Sequence, residues 1–370
     1  MASNDHDPRH LETLDRDLGR LSGVNHATSY FGHPLTNIGI SLIFIVLAGL
    51  VAMVLFENTA NILIVVIAAG LGAYMALNIG ANDVANNMGP AVGANALSMG
   101  GAIAIAAIFE SAGALLAGGD VVSTVAKGII APENMRTTAI FIFAMLSALL
   151  SAALWVNLAT WVGAPVSTTH SVVGGVMGAG IAAAGFAAVN WPTMYKIAAS
   201  WVISPVLGGA IAALFLWLIK SRIIYQPDKI SAAKKWVPFL VGIMGGAFAA
   251  YLALKGIKKI IKIDFSTALM IGLAIGVVIW LVMIPVIKRQ AEGLENRNKS
   301  LKILFGIPLV VSAALLSFAH GANDVANAVG PLAAIVQASS SGSFISAVSI
   351  PLWVMAIGAL GISFGLFLFG

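Results

Sequence analysis

Apolar runs of bilayer-spanning length recur along almost the whole chain. They fall at about 37–57, 61–79, 99–118, 137–161, 195–220, 236–255, 266–287, 301–319 and 344–369, with a broken, glycine-rich run near 166–189. A helix rises about 1.5 Å per residue and a hydrocarbon core is about 30 Å thick, so each run of roughly 20 apolar residues predicts one crossing. The pattern therefore predicts an all-α polytopic membrane protein with about ten passes, some of them discontinuous. Residues 1–35 stand outside it. They mix both signs of charge and place no apolar stretch behind a basic start, which predicts a soluble N-terminal tail rather than a cleavable signal peptide.

Composition sharpens this. Hydrophobic residues make up 59% of the chain and charged residues 9%, with a mean hydropathy of +0.96; soluble domains carry about a quarter charged residues. The net charge of +5 is modest, and the basic residues sit mostly between apolar runs. That distribution suits lipid headgroups and topology and gives no support to nucleic-acid binding. Lys220, Arg222, Lys234 and Lys235 occupy one loop, and Lys288, Arg289, Arg297, Lys299 and Lys302 another. Two passes separate the loops, so both are expected to be cytoplasmic. The cluster Lys255, Lys258, Lys259 and Lys262 then falls on the opposite side, against the rule, where a short interfacial position accommodates it. Cysteine is absent, which excludes disulfides, thiolate metal sites and a cysteine nucleophile. Trp155, Trp161, Trp191, Trp201 and Trp236 lie near run ends, as interfacial anchors do. Asp120 and Lys127 bracket a run end and carry no functional reading.

The strongest organisational signal is a repeat. "GANDVANNMGP" at Gly80–Pro90 returns as "GANDVANAVGP" at Gly321–Pro331, each time after an apolar helix. Counting passes from the 288–302 loop gives the two copies opposite orientations, as in inverted-repeat transporters, whose substrate and ion sites lie near the midplane at the repeat interface. The expected organisation is a tail (1–35), an extra N-terminal transmembrane helix (36–58), a first inverted repeat (59–190), connecting helices and cytoplasmic loops (191–300), and a second, incomplete inverted repeat (301–370).

Each motif is bracketed by Gly80 and Gly89-Pro90, or by Gly321 and Gly330-Pro331. These read as helix breakers that free backbone groups beside a cavity. On a helix, Asn82 and Asn86 share one face and Asp83 and Asn87 the adjacent one. Carboxylate and amide oxygens are hard ligands, suited to a hard cation. A carboxylate at bilayer depth is costly and marks function more often than helix-to-helix glue.

Three other features carry chemistry. In "GAPVSTTHSVVGG", Pro165 favours a new helix start, leaving amides from Val166 to Thr169 unpaired beside the hydroxyls of Ser167, Thr168 and Thr169. That is an anion receptor at the positive end of a helix dipole, unless the hydroxyls merely satisfy backbone at a proline kink. Glu110 lies in an apolar helix without a basic neighbour in sequence, so it must be protonated, paired or cation-bound. His170 and His320 each adjoin a motif, where a hydrogen-bonded structural role and proton coupling are both open.

The doubled "GANDVAN" resembles the signature of the inorganic phosphate transporter (PiT) family. "AIFESAGALLAGGDVVSTVAKGII" (Ala107–Ile130) and "GAPVSTTHSVVGG" (Gly163–Gly175) are similar to the next elements of that family's first repeat. The resemblance covers about residues 61 to 370 and implies cation-coupled secondary transport of inorganic phosphate, bound between inverted repeats. It makes the chain a transporter and not an enzyme, with no cofactor. Residue by residue it implies phosphate binding by Asn82, Asp83, Asn86, Ser167, Thr168, Thr169, Asn323, Asp324 and Asn327. Sodium ligands are expected at Asp83, Asn87, Asp324 and Asn327, and coupling or gating roles at Glu110, His170 and His320. Sodium is preferred over protons because both motif copies keep Asn and offer oxygen ligands. At least two sodium ions per phosphate are expected, since the anion and the carboxylates need compensation in a low-dielectric interior and no Arg lies beside either motif. Proton-coupled phosphate or metal–phosphate symport, or sulfate transport by the same fold, are the alternatives. The expected location is the cell's inner (plasma) membrane, with homo-oligomerisation left open.

Two departures from the family pattern stand out. The tail and the helix at 37–57 precede the usual first repeat. The first repeat runs about eighty residues beyond its motif and the second about fifty, which predicts that counterparts of Glu110 and Ser167–His170 are missing from the chain.

Overall fold

The computed structural model describes residues 35–57, 61–119, 122, 128–256, 263–341 and 350–369. The expected tail up to residue 34, Asp120, Lys127, Lys258, Lys259 and Lys262 lie outside the described residues. Among those described, helices account for nearly all regular structure: α1 (Leu35–Leu55), α2 (Ile62–Gly93), α3 (Met99–Ala117), α4 (Thr138–Trp161), α5 (Thr168–Ala184), α6 (Trp191–Ile219), α7 (Lys229–Lys255), α8 (Phe265–Gln290), α9 (Asn298–Leu304), α10 (Gly306–Ser341) and α11 (Leu352–Phe369). Nine of these are long and apolar enough to cross a membrane. The 17-residue α5 occupies the broken run and is not among the nine.

Local sequence sets the starts. Ser98, Thr137, Ser167, Asn190, Asp228 and Asp264 each cap a helix by accepting a hydrogen bond from the amide three residues on. Asp228 and Asp264 lie at helix ends outside the spans; the Ser231 amide holds the Asp228 carboxyl below the usual aspartate range, and the Thr267 hydroxyl, helped by the Thr267 amide, does the same for Asp264.

The motif helices differ from the broken elements expected. α2 and α10 run continuously through Gly80–Pro90 and Gly321–Pro331. The glycines serve close packing instead: a Cβ on Gly80 would strike the Ile362 carbonyl of α11, and one on Gly321 the Glu110 backbone of α3. Small residues let helix backbones meet in a bilayer, where lipid offers no hydrophobic drive for association. The discontinuity lies between α4 and α5, where Gly163 takes a left-handed φ of 69° just before Pro165.

α2 and α10 cross antiparallel. Gly72 of α2 lies against Leu332 and Ala328 of α10, whereas Asp83 lies beside His320. The helix following each motif packs on the other motif's helix, α3 on α10 and α11 on α2. A main apolar core joins α1, α2, α4, α5, α10 and α11. The α7–α8 hairpin forms a second body, closed on itself by Gly242, Gly246, Gly272 and Gly276 and joined to the bundle through Phe248, Tyr251 and Phe318.

Candidate substrate and ion site

Antiparallel crossing of two helices with the same sequence brings equivalent residues face to face. Asp83 of α2 and Asp324 of α10 meet there, and the N-terminus of α5 closes the third side. The resulting cavity has a volume of ≈ 300 Å³ and is lined by Asp83, Asn86, Pro165, Val166, Ser167, Thr168, Thr169, His320 and Asp324.

The α5 end is built by its sequence. Ser167 Oγ accepts from the His170 amide at 3.2 Å, and Thr168 and Thr169 open the first turn, where amides have no intrahelical partner. Their hydroxyls reach the two motifs separately. Thr168 Oγ1 donates to Asp83 Oδ2 at 3.4 Å and Thr169 Oγ1 to Asp324 Oδ1 at 3.3 Å. Asn327 Nδ2 ties this edge together, donating to Asp324 Oδ1 at 2.7 Å and to the hydroxyls of Thr169 at 2.9 Å and Thr168 at 3.4 Å.

His320 sits among three carboxylates. Its Nε2 is 2.7 Å from Asp324 Oδ2 and 3.4 Å from Asp83 Oδ2, and Nδ1 is 3.2 Å from Glu110 Oε1. None of these approaches has hydrogen-bond alignment, so the contacts are electrostatic. Glu110 is buried, and its Oε1 accepts from Asn87 Nδ2 at 2.9 Å while Oε2 has no hydrogen-bond partner. Orphaned buried oxygen and facing carboxylates call for a cation or a proton. Ligand atoms of Asp83, His320 and Asp324 lie within 4.8 Å of one another. Asn87 and Asn327 donate through Nδ2, a geometry that leaves their carbonyl oxygens able to coordinate. The oxygen-rich set fits a hard cation.

The expected residues are not all gathered. Asp83, Asn86, Ser167, Thr168, Thr169 and Asp324 line the cavity, with Asn327 directly behind. Asn82 stands beside it and braces the α4–α5 break: Nδ2 donates to Thr160 Oγ1 at 2.9 Å and the Ala164 carbonyl at 3.3 Å, while Oδ1 accepts from the Val166 amide at 3.2 Å. Asn87 turns to Glu110. Asn323 is exposed and donates to the Ala319 carbonyl one turn back. His170 points away from the carboxylates, its ring 3.9 Å from that of Trp201, edge to face. Trp201 is therefore a packing partner of the α5 end and not simply an interfacial anchor. Sequence reasoning passed over Thr160; its partner is 78 positions away and no local pattern marks it.

A polytopic helical bundle with two antiparallel acidic motifs around a polar cavity defines the class: an integral membrane transporter. The phosphate transporter family model matches residues 79–370, and the chain belongs to that family. A Helicobacter pylori (strain J99) protein described as "Putative phosphate permease" is 51% identical over 359 residues, covering 96% of this chain and 67% of the relative. A Pyrococcus abyssi protein of the same description is 36% identical over 300 residues, covering 81% and 73%. A solved structure described as "The sodium-dependent phosphate transporter" aligns with a TM-score of 0.78 at 37% identity, covering 83% of this chain and 76% of that one.

Proposed function

We propose that the chain carries inorganic phosphate across the membrane by symport with sodium, through alternating access of two inverted repeats around the described cavity. The observation that carries this reading is the convergence of Asp83 and Asp324, one from each motif, on the hydroxyls of Thr168 and Thr169. The sodium dependence of the structural neighbour supports the choice of ion.

Geometry suggests how the ions are coupled. A threonine hydroxyl has one proton to donate. Without a cation, Thr168 and Thr169 give theirs to Asp83 and Asp324. Sodium on the carboxylate oxygens competes for those lone pairs and releases both hydroxyls, which then donate to phosphate together with the free amides of α5. The same cations offset the anion's charge, which would otherwise face two carboxylates at low dielectric. Asn82 acts in this scheme by positioning Val166 and the α5 start, and Asn86 by touching the anion.

His320, placed between three carboxylates, favours one second reading, in which protons replace sodium. Uptake of phosphate into proteoliposomes under imposed sodium or proton gradients separates the two. Sodium-driven accumulation that persists when the pH gradient is collapsed supports the proposal; accumulation that survives replacement of sodium by choline but needs the pH gradient overturns it. Competition by sulfate in the same assay tests the substrate.

A further inference from the structure

The α7–α8 hairpin carries a second cavity, far from the first in character. It is an apolar groove of ≈ 330 Å³ lined by residues that include Phe239, Ile243, Ala247, Leu269, Leu273 and Trp280. Glycines form its floor, because Gly242 and Gly246 lie directly against Gly276 and Gly272. Its walls are well exposed, Leu273 at 71% and Leu269 at 57%.

One end of this groove is basic. A small buried core of Ile223, Ile230, Val237, Ile287, Leu301 and Leu304 draws the helical turn after α6 (Lys220–Ile224), the start of α7, the end of α8 and α9 together. The loops are pinned to each other, with Lys229 N donating to Asn296 Oδ1 and Asn296 Nδ2 to the Pro227 carbonyl. An aromatic chain links this end to the groove: Arg222 lies 5.6 Å over the Trp236 ring, Trp236 meets Phe239 edge-on at 5.8 Å, and Phe239 meets Trp280 at 6.1 Å. Helical periodicity places two lysines on the groove's own stripe. Lys235 is seven residues before Gly242, and Lys288 is eleven after Val277, each returning to nearly the same face. Both are in positions that continue the groove toward the cytoplasmic headgroup level given by the positive-inside rule. The acids nearby are largely engaged, Asp228 in capping Ser231 and Glu295 with Arg297, leaving Glu292 exposed.

We propose that this groove binds one anionic phospholipid, an acyl chain lying along the glycine floor and the headgroup phosphate held by Lys235 and Lys288. Charge selects this occupant. A second copy related by an axis along the membrane normal would bring its own basic rim against this one. A zwitterionic lipid offers the lysines the same phosphate but brings its own ammonium beside it, so it gains less from them than a lipid with net negative charge.

The test uses the full chain, purified in detergent and titrated with dioleoyl-phosphatidylglycerol or dioleoyl-phosphatidylcholine, with bound lipids counted by native mass spectrometry. Phosphatidylglycerol is expected to fill one site first. Lys235→Gln with Lys288→Gln should weaken that binding about fivefold per lysine while weakening phosphatidylcholine binding much less. Ala247→Phe, at an exposed groove position, should weaken both lipids. Equal binding of the two lipids, or a phosphatidylglycerol preference that survives the double substitution, overturns the proposal. So does dissociation of a dimer by Ala247→Phe with lipid counts unaltered, which would make a second copy the occupant.

Discussion

Ser111 of α3 and Ser363 of α11 are hydrogen-bonded to each other, Oγ to Oγ at 2.8 Å, across 252 positions of sequence. The contact marks a point of internal correspondence. Gly113, two residues after Ser111, lies against the Phe318 carbonyl three residues before Gly321; Gly365, two after Ser363, lies against the Leu77 carbonyl three before Gly80. Equivalent helices thus exchange partners around this serine pair. Ser363 Oγ also donates to the Ala107 carbonyl at 3.2 Å, so Ser111 supplies the proton of the shared bond.

Substituting Ser363→Ala should therefore cost about 1 kcal/mol of stability, the net value of a part-buried hydrogen bond. Ser363→Leu should cost more, about 1–3 kcal/mol, by overpacking a crossing built for small residues. If alternating access pivots here, the leucine variant should slow maximal uptake while leaving the sodium concentration for half-maximal uptake unchanged. Thermal unfolding and initial uptake rates read the two effects separately.

The same correspondence sets Glu110 beside Gly321 and Ile362 beside Gly80. Ile362, which stands against Gly80 as Glu110 stands against Gly321, is apolar. The buried acid is therefore one-sided, held by Asn87 and His320. Asn87→Leu removes the amide donor and should destabilise the protein by about 1–3 kcal/mol, the cost of leaving a buried acceptor unpaired. Glu110→Gln removes the ionisable group at nearly constant shape and should reduce sodium stimulation of uptake with a smaller loss of thermal stability. Equal losses of stability from both, with sodium dependence intact, would make Glu110 structural.

Much of the bundle is legible in the sequence because apolar run length and helix caps are local properties. The run at 236–255 becomes α7 from Lys229 because Asp228 caps the helix upstream of the run, where polar residues hide the helical turn. Gly80 and Gly321 are harder: a glycine in an apolar helix either breaks it or admits a neighbour, and only the neighbour decides. Here Ile362 and Glu110, distant in sequence, make both glycines packing residues. The pairing of Asp83 with Asp324 follows from recognising the repeat, whereas the division of labour among the asparagines does not. Asn82 and Asn86 share a helical face, yet Thr160 and Ala164 claim the first and the cavity receives the second.

That division is testable by paired substitution. Asn82→Ala leaves the Val166 amide and Ala164 carbonyl without their partner, so it should lower thermal stability by about 1–3 kcal/mol and raise the phosphate concentration for half-maximal uptake indirectly. Asn86→Ala, at an exposed cavity position, should leave stability within about 0.5 kcal/mol while weakening phosphate binding. Equal destabilisation by both would remove the distinction between a brace and a ligand.

The coupling scheme makes the sharpest demand on Thr168 and Thr169. If each hydroxyl passes its proton from a carboxylate to phosphate when sodium arrives, removing a hydroxyl must weaken the link between the two ligands as well as the binding of either. Thr168→Val keeps the volume and deletes the donor to Asp83. Phosphate affinity at saturating sodium should fall about tenfold, near the 1.4 kcal/mol of one hydrogen bond to a charged group. At low sodium the loss should be smaller, because there the wild-type hydroxyl is already committed to Asp83. Asp83→Asn should act in the opposite sense on the linkage: the amide binds sodium poorly and competes less for the hydroxyl, so phosphate binding should become less dependent on sodium. Asp324→Asn should repeat this through Thr169. Phosphate titrations at several fixed sodium concentrations measure the linkage directly. A Thr168→Val variant whose phosphate affinity drops by the same factor at every sodium concentration would show the hydroxyl to be an ordinary ligand and would remove it from the coupling.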